Sequence, residues 1–282
     1  MRVDQALALS QRLEKVSDTA RFDVELLLCH VLNKPRSYLY SWPEAELTDQ
    51  HIVTFKQMLA RRSSGEPVAH IIGKQGFWTL ELEVSKDTLI PRPETELLIE
   101  WVLDKFASCS NLRLADLGTG TGAIALALAS EQPSWQIDAV DLYPGAVALA
   151  QRNAQRLKLQ QVNFHQGYWC EPLSGHYDLL ISNPPYIDSE HPCLQEGDVR
   201  YEPSTALIAE QQGMGDVLSI IAQSVTYLKP QGWLVFEHGY DQGLPVRQAL
   251  QQAGFYHTFT HQDLNGHDRI SGGCYAKLDA TE

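Results

Sequence analysis

An apolar run, Asp178-Leu179-Leu180-Ile181-Ser182, reads as a strand and leads directly into Asn183-Pro184-Pro185-Tyr186. These four residue types suit one kind of chemistry. An amide or aromatic amine nitrogen is a poor nucleophile, because its lone pair is delocalised into the adjacent π-system. To react, its N–H bonds must be held while the lone pair is aimed at an electrophile. The Asn183 side-chain oxygen can accept one such hydrogen bond. The Pro184 carbonyl can accept another, and with Pro185 behind it the turn is rigid before the reaction begins. Tyr186 can stack on a flat substrate group and favour passing positive charge, worth about 0.5–2 kcal/mol as a cation–π contact. No strong general base is needed, since the proton can leave after transfer. As structure alone, the motif is a strand ending in a Pro-Pro turn with an exposed tyrosine.

A second signal lies earlier, in Asp116-Leu117-Gly118-Thr119-Gly120-Thr121-Gly122, which follows an apolar strand and opens an alanine-rich helix. Glycines are needed where backbone turns sharply and a ligand approaches with no Cβ in the way. The G-x-G-x-G spacing differs from the G-x-G-x-x-G of dinucleotide sites. The next strand ends in Val140-Asp141-Leu142. A carboxylate there, in a doubly wound sheet, can accept hydrogen bonds from ribose hydroxyls. Trp169, in Gly167-Tyr168-Trp169 after the third strand, either packs on a flat ring or belongs to the core. The plain alternatives are a glycine-rich turn and a solvated strand end.

The elements that must position these residues follow an alternating pattern. Strands are expected at Leu112–Leu117, Trp135–Val140, Val162–Gln166, Tyr177–Ser182 and Gly232–His238, with helices at Ala123–Ser130, Ala146–Leu157 and Gly215–Leu228. Alternation of this kind predicts an α/β fold: a doubly wound, mostly parallel, Rossmann-like sheet with helices on both faces. Phe255–His261 and Gly272–Lys277 are expected to add a terminal pair. Ahead of this lies a smaller helical bundle, residues 1–67. Its first helix carries Ala6, Leu7, Ala8 and Leu13 on one face. A second, capped at Ser17-Asp18, carries Phe22, Val24, Leu26, Leu27 and Val31. A third runs from Thr48 through Phe55, Met58 and Leu59 to a stop at Gly65. Residues 68–90 read as a β-hairpin linker, with alternation at Leu80-Glu81-Leu82-Glu83-Val84, and residues 91–282 as the catalytic domain. After Pro91-Arg92-Pro93 a helix is expected from Glu94 to Phe106.

Composition narrows the function classes. The 282 residues are 44% hydrophobic and 20% charged, an ordinary globular balance, and the net charge of -13 would repel polyanions. Direct nucleic-acid binding is therefore not expected. Arg61-Arg62, an adjacent basic pair, reads as the solvated end of a helix. Five cysteines with no C-x-x-C spacing suggest neither a disulfide framework nor a zinc site, so reduced thiols, no metal and a cytoplasmic setting are expected. The start, Met1-Arg2-Val3-Asp4-Gln5, does not read as a signal peptide. No apolar run approaches the roughly 20 residues of a membrane span.

The glycine loop and the acid together resemble the first two motifs of the class I methyltransferases. That resemblance implies that Gly118, Thr119, Gly120, Thr121 and Gly122 carry the methionine part of S-adenosylmethionine. It implies that Asp141 holds the ribose; Trp169, where it is not core, is the candidate for the adenine face, and Asn183 is expected to border the cofactor; the product is S-adenosylhomocysteine. Over nearly its whole length the chain resembles the HemK-type protein-glutamine methyltransferases. The match rests on Gly76-Phe77-Trp78, Leu89-Ile90-Pro91-Arg92-Pro93-Glu94-Thr95-Glu96, Asn183 to Ile187, Tyr201-Glu202-Pro203-Ser204-Thr205-Ala206-Leu207 and Glu237-His238-Gly239. It implies methylation of the glutamine amide in the Gly-Gly-Gln motif of class 1 peptide chain release factors. It also implies a helical domain that docks the factor, and Asn183, Pro184, Pro185 and Tyr186 as the catalytic residues. Arg92 and Glu94 either line the glutamine pocket or hold the linker by a salt bridge. Asn265 to Arg269 matches only loosely and assigns no role to Arg269. A monomer is expected.

Two other readings compete. An enzyme methylating an exocyclic amine of adenine in DNA or RNA predicts a basic cleft, an added recognition domain and base flipping. A non-catalytic S-adenosylmethionine sensor or a release-factor scaffold predicts erosion of the glycine loop or of Asn183 to Tyr186, and both are intact.

Overall fold

The computed structural model describes residues 1–276. The chain divides into two compact units, Met1–Lys74 with Pro192–Tyr201, and Gln75–His191 with the residues from Glu202 onward.

In the first unit α1 (Val3–Leu7) runs into a 3-10 segment, Ala8–Leu13, and is followed by α2 (Ala20–Leu32), α3 (Arg36–Ser41), α4 (Asp49–Ser63) and α5 (Val68–Ile72). Their apolar faces close over one core that includes Val24, Leu27, Leu28, Leu39, Phe55 and Leu59. Thr48 caps α4 by accepting the His51 N–H at 3.2 Å, as its type predicts. The first helix is not continuous. Three residues per turn in its second half rotate Ala8 outward, and Val3 fills the core in its place. Ser17-Asp18 does not cap α2. Thr19 holds the N-cap position without a side-chain cap, and Ser17 Oγ accepts the Thr19 N–H instead. Phe22 is exposed, under the Arg36 guanidinium.

Arg62 corrects the solvated-end reading. It is buried, donates to Asp23 Oδ2 at 2.7 Å and Asp198 Oδ1 at 2.9 Å, and also binds the carbonyls of Gly65 and Glu66. A second correction concerns residues 68–72, which form a helical turn rather than hairpin. Pro67 precedes the turn and Gly73, in the left-handed region at φ 79°, ends it; this pairing of breakers outweighs the β-branched residues between them.

The second unit begins with a hairpin, β1 (Lys74–Phe77) and β2 (Leu80–Glu83). A 3-10 turn at Pro93–Thr95 then leads into α6 (Glu96–Lys105). After it come β3 (Arg113–Leu117), α7 (Ala123–Glu131), β4 (Gln136–Asp141), α8 (Pro144–Leu157), β5 (Val162–Gln166) and β6 (Tyr177–Ser182). Then follow α9 (Gly215–Tyr227), β7 (Leu228–Glu237), α10 (Gly243–Gln252), β8 (Phe255–Gln262) and β9 (Asp268–Tyr275). The sheet order is β5-β4-β3-β6-β7-β9-β8, parallel from β5 to β7 and antiparallel over the last two pairings. This is the doubly wound, mostly parallel sheet that the alternation predicts. Central strands buried on both faces read as unbroken apolar runs, and Leu179, Leu180 and Ile181 on β6 do so.

The chain leaves β3 toward β4 on one side and returns to β6 on the other, which creates a crevice at the carboxyl ends of β3 and β6. Of the expected strand Gly272–Lys277, the part through Tyr275 lies in β9, and Lys277 lies outside the described residues. Besides α5, two named helices escape the sequence reading. Neither α3 nor α10 has a long apolar run, and α3 is short.

Candidate active site

Each turn at the carboxyl end of the sheet contributes a different piece. After β3, Gly118, Gly120 and Gly122 all have positive φ. A Cβ on Gly118 would stand 3.0 Å from the Trp169 ring, so this glycine lets the indole approach the loop. Gly120 meets nothing closer than 3.9 Å and faces open space. Asp116, fully buried, accepts the Thr119 hydroxyl at 2.6 Å and the Ala125 N–H at 3.3 Å through one oxygen. Its other oxygen has no hydrogen-bond partner among the described residues. Burial pushes this carboxyl up to about 7. Asp141, at the end of β4, accepts the Gly120 N–H at 2.9 Å and the Tyr143 N–H at 3.0 Å. Burial raises its proton affinity, and those backbone donors oppose the rise. Asn153 on α8, fully buried, links the Thr121 carbonyl to the backbone of Glu83.

A cavity of about 360 Å³ opens between these groups, at the lower end of the usual range for small-molecule sites. Its walls include Gly118 to Thr121, Asp141, Trp169, Asn183, Pro185 and Arg92. The sequence reading did not single out Thr88, Tyr143 or Asp216, which also line it. Burial raises the Asp216 carboxyl. Gly122, Pro184, Tyr186 and Glu94 are not among the lining residues. Gly122 packs on Leu126 and Ala150, where a Cβ would meet atoms at 2.9 and 3.3 Å. The residues fit an elongated cationic nucleoside. Gly118 and Gly120 leave room for backbone contact, Trp169 offers a flat face, and the Asp141 carboxylate supplies an acceptor.

After β6, Ser182 donates to the Leu117 carbonyl at 2.6 Å and ties the two central turns together. Asn183 donates from Nδ2 to Thr95 Oγ1 at 3.1 Å. Tyr186 points its hydroxyl to Glu237 Oε1 at 3.4 Å, and burial pushes the phenol up. The Tyr186 carbonyl accepts Gln242 Nε2 at 3.1 Å, and a Cβ on Gly213 would stand 2.2 Å from that same oxygen. Arg92 does not pair with Glu94. It forms an ion pair with buried Glu202, whose other oxygen accepts the Ile90 N–H at 2.8 Å. Glu94 is exposed. Gly213, Gln242, Glu202 and Thr95 escaped the sequence reading because each meets its partner only in three dimensions. Glu202 and Thr95 did lie inside segments that the resemblance had marked.

The chain matches two family descriptions, "PrmC N-terminal domain" over residues 7–73 and "Methyltransferase small domain" over residues 93–195. It is 48% identical over 270 residues to the release factor glutamine methyltransferase of Vibrio cholerae, covering 95% of this chain and 94% of that one. The Pseudomonas aeruginosa enzyme of the same name is 50% identical over 261 residues, 92% and 94% of the two chains. Among solved structures, the hMettl16 catalytic domain in complex with an RNA hairpin matches with a TM-score of 0.60, covering 90% of this chain and 92% of that one. At 16% identity that likeness shows the fold alone. With sequence identity of this extent over nearly the full length of both chains, this protein belongs to the release factor glutamine methyltransferases, S-adenosylmethionine-dependent enzymes.

Proposed function

We propose that the protein methylates the side-chain amide nitrogen of the glutamine in the Gly-Gly-Gln motif of class 1 release factors. One observation carries the site assignment. The donor end of the Asn183 amide is engaged by Thr95, which leaves Oδ1 for the cavity beside the glycine loop. S-adenosylmethionine supplies an electrophilic methyl group on a sulfonium. Gly118, Thr119, Gly120 and Thr121 hold its methionine part, Asp141 its ribose and Trp169 its adenine, with Gly122 closing the loop onto α7.

In this reading Asn183 Oδ1 and the Pro184 carbonyl accept the two N–H bonds of the substrate amide, so the nitrogen lone pair is turned toward the methyl group. Pro185 stiffens the turn. Tyr186 flanks the flat amide, its hydroxyl anchored away from the cavity. Arg92, held by Glu202, lines the entrance, and Glu94 acts at a distance through its charge. The helical residues 1–67 dock the release factor, residues 68–90 link them to the catalytic part, and residues 91–282 carry the chemistry. The enzyme acts as a monomer in the cytoplasm; among the described residues no helix is long and apolar enough to cross a membrane.

The test is transfer of radiolabelled methyl to a purified class 1 release factor, beside its Gly-Gly-Gln glutamine-to-alanine variant and an unmethylated DNA duplex. Label on the intact factor alone is expected. Label on the duplex would instead favour the exocyclic amine of adenine.

A further inference from the structure

A threonine hydroxyl carries one donor and two acceptor sites, and burying it without a partner costs stability. Thr88 is 2% exposed, and its Oγ1 has no hydrogen-bond partner among the described residues. It stands in the turn between β2 and α6 and lines the cavity, yet it has no part in the chemistry above. Unsatisfied buried groups are few in native proteins, and each needs a reason.

The turn that carries Thr88 is fixed at both ends. On its amino side, Asn153 accepts the Glu83 N–H at 2.7 Å and donates to the Glu83 carbonyl at 3.0 Å. The same side chain donates to the Thr121 carbonyl, so the turn is clamped to the glycine loop. On its carboxyl side, Glu202 accepts the Ile90 N–H at 2.8 Å. Between these anchors Asp87 packs on the start of α8, where a Cβ on Gly145 would stand 3.2 Å from its Cγ. Thr88 is thereby set over Gly120, its Cβ 3.9 Å from where a Cβ on that glycine would lie. Asp141 accepts the N–H of the same glycine at 2.9 Å. Thr88 and Asp141 therefore meet Gly120 from two directions and border one part of the cavity.

Donor and acceptor types indicate what passes between them. A ribose hydroxyl offers a proton and also has lone pairs that can accept one. An ionised Asp141 can only accept. The backbone donors beside it, Gly120 N–H and Tyr143 N–H, are both turned to the carboxylate itself. The Thr88 hydroxyl supplies the donor that this corner otherwise lacks. We propose that Thr88 is a second ribose contact, donating to the oxygen of a hydroxyl that gives its own proton to Asp141. This rests on the ribose role given to Asp141 above.

The test is calorimetry on the full chain with four ligands. These are S-adenosylhomocysteine, its 2′-deoxy and 3′-deoxy forms, and methylthioadenosine, which keeps the nucleoside and lacks the amino acid. Thr88→Val should weaken S-adenosylhomocysteine and methylthioadenosine alike, by about tenfold, the scale of one hydrogen bond. One of the two deoxy forms should bind Thr88→Val as it binds the wild type, because the oxygen that Thr88 meets is gone. Thr88→Ser keeps the hydroxyl and should keep the affinity. With the release factor as substrate, KM for S-adenosylmethionine should rise by the same factor in Thr88→Val, with kcat at saturation unchanged.

Three outcomes overturn the proposal. Unchanged affinity in Thr88→Val means that an ordered water alone satisfies the hydroxyl. A loss seen with S-adenosylhomocysteine but not with methylthioadenosine moves the contact to the methionine part. An equal loss on all four ligands, with earlier denaturant unfolding of the ligand-free variant, makes Thr88 structural; the proposal expects no such destabilisation, since the hydroxyl has no protein partner to lose. If Asp141→Ala binds S-adenosylhomocysteine as tightly as the wild type, the ribose role of Asp141 fails. The deoxy comparison in Thr88→Val still decides the role of Thr88.

Discussion

The turn after β3 and the turn after β6 border one cavity but are held by different means. The first is held mainly from nearby: locally, from the adjacent strand and, through Asn153, from α8. Asp116 binds Thr119 and Ala125, and Asp141 at the end of β4 binds Gly120. The second is held from remote segments. Thr95 precedes α6, Glu237 ends β7, Gln242 adjoins α10, and Gly213 precedes α9. A glycine loop can be shaped by its own φ values. A Pro-Pro turn is stiff but does not orient the side chain that precedes it, so its asparagine depends on a shell built from the rest of the fold. Removing support should therefore affect binding at the first turn and turnover at the second.

The largest effect expected is on turnover. Asn183→Ala should lower kcat by ~10²–10³ while keeping most cofactor affinity, the scale of deleting one preorganised contact to the reacting group. Single-turnover kinetics beside calorimetry checks this, and unchanged turnover would break the comparison. Next, Gly213→Ala should destabilise the chain by roughly 2–3 kcal/mol, because the new Cβ meets the Tyr186 carbonyl and the backbone φ is strained. Denaturant unfolding reads the loss, and turnover should fall with it while residual folded protein still binds cofactor. Smallest is Asp141→Ala, which should weaken cofactor binding about tenfold to a hundredfold, the scale of lost charged hydrogen bonds, with kcat at saturation little changed. Equal affinity by calorimetry would move the ribose contact elsewhere.

Both turns were legible as motifs, and their supports were not equally so. Asp116 and Asp141 could be read beside the glycines because a strand-loop-helix unit brings them together within a short stretch. Glu237 and Thr95 sat in segments marked by resemblance, yet nothing in either segment indicates that Thr95 meets Asn183 or that Glu237 meets Tyr186. The errors have the same origin. Arg62 read as solvated because its partners Asp23 and Asp198 come from another helix and from a distant segment. Residues 68–72 were grouped with the hairpin that the alternation at Leu80 to Val84 suggests, while Pro67 and Gly73 bracket a single helical turn.

The sequence by itself determined the parallel alternating sheet, the glycine loop with its acid, and the asparagine at the end of β6. Periodicity, backbone freedom and side-chain chemistry are local properties, written in order along the chain. Only the tertiary structure decided which groups stand behind that asparagine. The hydrogen bond of its amide to Thr95 and the anchor of Tyr186 on a buried Glu237 arise from strand order, which sets β7 beside β6 and sends the chain between them through α9. Burial then governs the protonation of Glu237, because a carboxylate loses its water only when the whole sheet has assembled around it.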